Sequence, residues 1–136
     1  MNESPPELQE ELQAQVQNTR RNAKRNYFAA YINAVLSVAA SIAATVLVAA
    51  DGPKSLIATL AAIPAALTAI GTIFRFEQKS AWHWKKNKRL SGLLRALRYE
   101  KADPVDVSKA FSKTEEEMDQ EWIAFGALGK ADDSSG

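Results

Sequence analysis

The sequence predicts an all-α integral membrane protein. It reads as a hairpin of two transmembrane helices, preceded by a cytoplasmic N-terminal helix, followed by a C-terminal helical hairpin, and assembled as an oligomer. Three observations carry this. Two uncharged apolar stretches, Asn26 to Ala50 and Ser55 to Phe74, each match the roughly 20 residues that a helix needs to cross a bilayer. Only Asp51, Gly52, Pro53 and Lys54 join them, a helix stop and a helix start too short to hold another element. Nearly all the charge lies in the two flanks.

The 136 residues leave room for one domain. A net charge of +1 and a mean hydropathy of −0.25 would suit an ordinary soluble protein, but these averages hide the contrast between centre and flanks. There is no cysteine, hence no disulfide and no thiol chemistry. The first 26 residues are polar and include Glu3, Glu7, Glu10 and Glu11. They lack the short apolar core of a signal peptide, so both apolar segments are expected to stay in the mature protein. A soluble four-helix bundle is the competing fold. Its helices need a charged face opposite an apolar stripe, and residues 26–50 and 55–74 have none.

Residues 1–26 form the N-terminal helix. Ser4 is a candidate cap, Pro5 suits the first helical position and Glu7 completes a capping box. A weak stripe follows through Leu8, Leu12, Val16, Thr19 and Ala23, and nothing before Ala50 must break the helix. Residues 27–74 form the two-span hairpin. Pro64, near the middle of the second span, removes a backbone bond and predicts a kink or hinge. Residues 75–126 hold the cytoplasmic C-terminal helices. One long helix covers Arg75 to Lys101 with Leu90, Leu93, Leu94 and Leu97 on one side. Asp103-Pro104 then marks a cap and a new start, leading to a helix ending about Phe125 with Val107, Phe111, Met118, Trp122 and Phe125 as its apolar positions. Residues 127–136 read as a disordered tail. The last helix is acidic where the preceding one is basic, so the two are expected to pair antiparallel.

Arg20, Arg21, Lys24 and Arg25 precede the first span; Arg75, Lys79, Lys85, Lys86, Lys88 and Arg89 follow the second; the loop has only Lys54. Positive flanks stay on the cytoplasmic side, which predicts both termini inside. Tyr27, Phe28 and Tyr31 open the first span, and Phe74, Phe76, Trp82 and Trp84 close the second. Together with Arg75 and Lys79, Tyr27, Tyr31, Trp82 and Trp84 are the predicted membrane-interface residues, near anionic inner-leaflet lipid.

Asn33, Ser37, Ser41 and Thr45 recur every four residues in the first span. They are either a packing face, where small residues and hydroxyls join helices, or the wall of a pore. Ala58, Ala62 and Ala66, with Ala61, Ala65 and Ala69 beside them, form a comparable small face on the second span. Alanine gains little from lipid because burial energy scales with apolar area, which favours helix association and a homo-oligomer. His83 is the one histidine. It has no acidic cluster for a metal site and is expected to be interfacial or packed. Aromatic and basic residues interleave from Trp82 to Arg98; a membrane-proximal basic helix explains this better than a nucleotide clamp. No catalytic set, cofactor motif or nucleic-acid surface is expected, and Glu115-Glu116-Glu117 reads as a solvated face.

The segment Phe76-Glu77-Gln78-Lys79-Ser80-Ala81-Trp82-His83-Trp84-Lys85-Lys86 and the run Leu93-Leu94-Arg95-Ala96-Leu97-Arg98-Tyr99-Glu100 resemble the SLATT family, two-transmembrane effectors tied to bacterial nucleotide-signalling defence. The basic N-terminal helix, minimal loop, Asp103-Pro104 break and final acidic helix are similar too, so the likeness spans about residues 20–125. The resemblance implies an abortive-infection effector that permeabilises the bacterial inner membrane. Its trigger would be another protein, such as a nucleotide second-messenger synthase or sensor, or a small ligand. The alternatives are a holin-like protein and a constitutive structural or regulatory membrane subunit.

Overall fold

A computed structural model describes residues 5–128. Among them the chain is all helix and turn: α1 Pro5–Ala49, α2 Lys54–Phe74, α3 Phe76–Tyr99 and α4 Pro104–Leu128. The Ser4 cap, the Phe125 side chain and the tail beyond Leu128 lie outside the described residues. The last helix runs to Leu128, beyond the expected end near Phe125. Two compact units divide the chain: residues 24–80, and residues 1–23 together with 81–136.

The unit of residues 24–80 is the apolar hairpin. Helix α1 ends in a Schellman motif. The Gly52 N–H donates to the Leu47 carbonyl at 2.8 Å and the Asp51 N–H to that of Val48 at 3.3 Å. Asp51 takes the left-handed position, φ 50°, which short polar side chains tolerate. Glycine suits the next position because a Cβ there would lie 3.1 Å from the Leu47 oxygen. Pro53, at φ −59°, then starts α2. That helix stays continuous across Pro64.

The long helix expected from Arg75 onward is interrupted at its first residue. Arg75 is left-handed at φ 49° and ψ 45°. Its N–H still donates to the Gly71 carbonyl at 2.9 Å, and its carbonyl still accepts from the Lys79 N–H at 3.0 Å. The rings of Phe74 and Phe76 stack across it, 5.5 Å apart. Such a stack contributes about 0.5–1.5 kcal/mol, comparable with the roughly 1–2 kcal/mol an L-residue costs in this conformation.

The second unit is a three-helix bundle of the first turns of α1, α3 from Ala81 on, and α4. Leu8 and Leu12 of α1, Leu90 of α3, and Val107 and Phe111 of α4 make its core. Leu93, Leu94 and Leu97 pack around it with Val16 and Ala102. The sequence paired α3 with α4; α1 is the third member. Its stripe of Leu8, Leu12, Thr19 and Ala23 is buried. Asn87 of α3, itself buried, donates to the Val16 carbonyl at 2.6 Å and to Thr19 Oγ1 at 3.1 Å. Arg98 donates to Gln13 Oε1 at 2.6 Å. Asp103 caps α4, accepting from the Val105 N–H at 2.8 Å.

Helices α3 and α4 run antiparallel. Ion pairs join Lys85 to Glu121, Arg89 to Glu117 at 2.6 Å, and Lys86 to Glu115 at 3.9 Å. Glu115 and Glu117 therefore serve as partners of α3 as well as forming part of a solvated face.

Candidate functional site

The hairpin exposes its apolar side chains. Val35, Leu36, Val38, Ile42, Val46 and Val48 of α1, and Leu56, Ile70 and Ile73 of α2, are all open. In the most apolar 18-residue window of each helix, 11% of residues are buried for α1 and none for the helix beginning at Lys54. A soluble core helix would be covered. These two helices are long and apolar enough to cross a membrane.

Within the hairpin the less exposed positions of α1 are Asn26, Ala29, Ala30, Asn33, Ser37, Ala40, Ala43, Ala44 and Leu47; those of α2 are Ile57, Leu60, Ile63, Pro64, Leu67 and Gly71. Each set contains a run in alternating steps of three and four, at positions 26, 30, 33, 37, 40, 44, 47 and 57, 60, 64, 67, 71, the spacing of a coiled-coil seam. A polar bond crosses it. Asn33 Nδ2 donates to the Leu67 carbonyl at 2.8 Å. Gly71 makes room for that amide, since a Cβ there would sit 2.9 Å from Asn33 Nδ2.

The row of Asn33, Ser37, Ser41 and Thr45 therefore divides. Asn33 and Ser37 share the seam; Ser41 and Thr45 are exposed. The helical drift of roughly 40° per four residues carries the last two off it. Their hydroxyls need no outside partner: Ser41 donates to the Ser37 carbonyl and Thr45 to that of Ser41, both at 2.9 Å. Thr59, Thr68 and Thr72 of α2 do the same one turn back. Pro64 lies on the seam side of α2, whereas Ala58, Ala61, Ala62, Ala65, Ala66 and Ala69 are all exposed. The alanine face is left outside the intramolecular contact.

Of the residues expected at the membrane interface, Tyr27 and Tyr31 are open, 62% and 57% exposed, and Trp84 is 42% exposed. Arg75 and Lys79 are half-buried. Trp82 has a different setting from an interfacial anchor. It is buried in the bundle, with Nε1 donating to the Met118 carbonyl at 2.9 Å. Its ring lies 4.8 Å from that of Trp122, and Lys86 Nζ stands 5.4 Å from its centroid. His83 packs edge-on against it. Trp82, Lys86, Met118 and Trp122 thus form the lock between α3 and α4. The interleaving of aromatic and basic residues marked the place, but not which face α4 would cover.

Among the described residues no group of three or more His, Asp or Glu could hold a metal ion. No family model, curated protein or solved structure matches this chain.

Proposed function

We propose that the protein is a two-span effector of the bacterial inner membrane, with α1 and α2 crossing the bilayer and both ends cytoplasmic. It oligomerises through the outward alanine face and permeabilises the membrane when a defence system is triggered, as the resemblance to SLATT proteins implies. The observation that carries the membrane reading is the open apolar surface of both spans. Water would penalise that surface by about 25 cal/mol per Å², whereas lipid does not. The absence of charge along both spans adds to it.

The alanine face supports self-association, because small side chains let helices approach closely. A pore assembled from these hairpins would present Ser41 and Thr45, hydroxyls without fixed charge, and would discriminate poorly between small cations and anions. One observation favours a structural or regulatory membrane subunit as the second reading. The exposed hydroxyls of Ser41, Thr45, Thr59, Thr68 and Thr72 already donate within their own helix, so none of the five requires a water-filled lumen.

Expression in bacteria with and without the neighbouring genes, under phage challenge, separates the readings. Loss of membrane potential and dye entry only under challenge fit the effector. Depolarisation on expression alone points to a holin-like protein. Protection with an intact potential rejects the pore.

A further inference from the structure

Resting on the membrane reading, we infer that the segment Arg20–Tyr31 of α1 is a docking surface for anionic phospholipid headgroups, and that Lys85, Lys86 and Arg89 of α3 are not part of one. Arg20, Arg21, Lys24 and Arg25 are all exposed, as are Tyr27, Phe28 and Tyr31 one turn further on. At about 100° per residue these seven side chains fall within an arc of roughly 160°. The opposite side of the same stretch carries Thr19 and Ala23, both buried. One continuous face thus runs from four cations to three aromatics to the exposed apolar span. That is the order of a leaflet read from phosphate through carbonyl to hydrocarbon, and aromatic rings favour the middle level.

The charge on this face is unspent. Among the described residues none of the four cations takes part in an ion pair. Helix α3 is different. Lys85, Lys86 and Arg89 are held by Glu121, Glu115 and Glu117, and Lys86 is buried over Trp82. By sequence the two flanks look equally basic; folded, α4 pairs with three cations of the second one. An acidic protein segment would match the cations but not the tyrosines and phenylalanine continuous with them, so lipid is the occupant that fits the whole face.

Each cation near an anionic surface contributes about a five-fold factor in association. The test uses the full chain, purified in neutral detergent and titrated with equal amounts of phosphatidylglycerol and phosphatidylcholine, with bound lipids counted by native mass spectrometry. Wild type should retain phosphatidylglycerol preferentially. Arg20→Gln, Arg21→Gln, Lys24→Gln and Arg25→Gln together should reduce that preference on the order of several hundred-fold, and either adjacent pair by about 25-fold, at that factor per cation. Lys85→Gln with Arg89→Gln should leave it unchanged. The inference is overturned if the quadruple variant keeps the preference, if the α3 variant loses it instead, or if a glutamate-rich peptide displaces the lipid where inorganic phosphate at the same ionic strength does not. Alkaline carbonate extraction is run beside it. Release from membranes rejects the membrane reading; retention with no role for the four cations rejects this inference alone.

Discussion

Trp82 distinguishes a packed bundle from a membrane anchor. Its indole is buried between α3 and α4, bonded to the Met118 carbonyl and packed on Trp122. Trp82→Ala removes a buried aromatic, which costs about 3–5 kcal/mol. A unit composed of residues 1–23 and 81–136 has about 4–12 kcal/mol in total, at 0.05–0.15 kcal/mol per residue. One substitution therefore removes a quarter or more of the stability that holds α4 in place. Trp82→Phe keeps most of the ring and loses the N–H donor, so it should cost about 1–2 kcal/mol, the scale of one buried hydrogen bond.

Native-state hydrogen exchange reads this directly. Amides from Thr114 to Glu121, in the part of α4 beside Trp82, should exchange about 160- to 5,000-fold faster in Trp82→Ala and about five- to thirty-fold faster in Trp82→Phe, as those energies convert. Amides of α2, in the other unit, should not change. If Trp82→Ala leaves α4 exchange as it was, the indole does not hold that helix and the packing described above is wrong.

Other positions give equally definite expectations. Gly71→Ala should weaken the α1–α2 pair by about 0.5–2 kcal/mol, the worth of an interhelical bond in a membrane, because its Cβ displaces the Asn33 amide from Leu67; Asn33→Ala should abolish that penalty in a double-mutant cycle read by resistance to denaturing detergent. Gly52→Ala should destabilise the hairpin turn, since the Cβ meets the Leu47 carbonyl, whereas Asp51→Gly should leave it unchanged or stabilise it by up to about 1 kcal/mol. Asn87→Leu strands the buried contact with Val16 and Thr19 and should lower thermal stability by about 1–3 kcal/mol. Arg89→Glu should cost no more than about 1 kcal/mol, because both partners are partly exposed; the swap with Glu117→Arg should recover it, and salt should erase the difference.

Local signals in the sequence carried far. The two apolar runs, the four-residue turn and the Asp103-Pro104 start rest on composition and cap chemistry, and each is where those features place it. The break at Arg75 has no such signature. Neither glycine nor proline stands there, and the helical hydrogen bonds continue on both sides, so only the backbone angle reveals it. The stripe from Leu8 to Ala23 was visible, but its partner lies about 70 residues away through Asn87, beyond any periodicity. Trp82 and Trp84 are equivalent by composition; α4 buries one and leaves the other open. The row of Asn33, Ser37, Ser41 and Thr45 followed a four-residue spacing, while the seam follows seven, and this difference moved Ser41 and Thr45 outside.

Single-cysteine labelling in intact cells tests the hairpin most directly, since the chain has no cysteine of its own. Lys54 is the better loop position than Gly52, whose Cβ would strain the turn; Gln17 and Ser112 are exposed positions of the bundle. Lys54→Cys should react with a membrane-impermeant thiol reagent in intact cells, and Gln17→Cys and Ser112→Cys only after lysis. Labelling of Gln17→Cys or Ser112→Cys in intact cells, or protection of Lys54→Cys until lysis, would contradict a two-span hairpin with both ends inside.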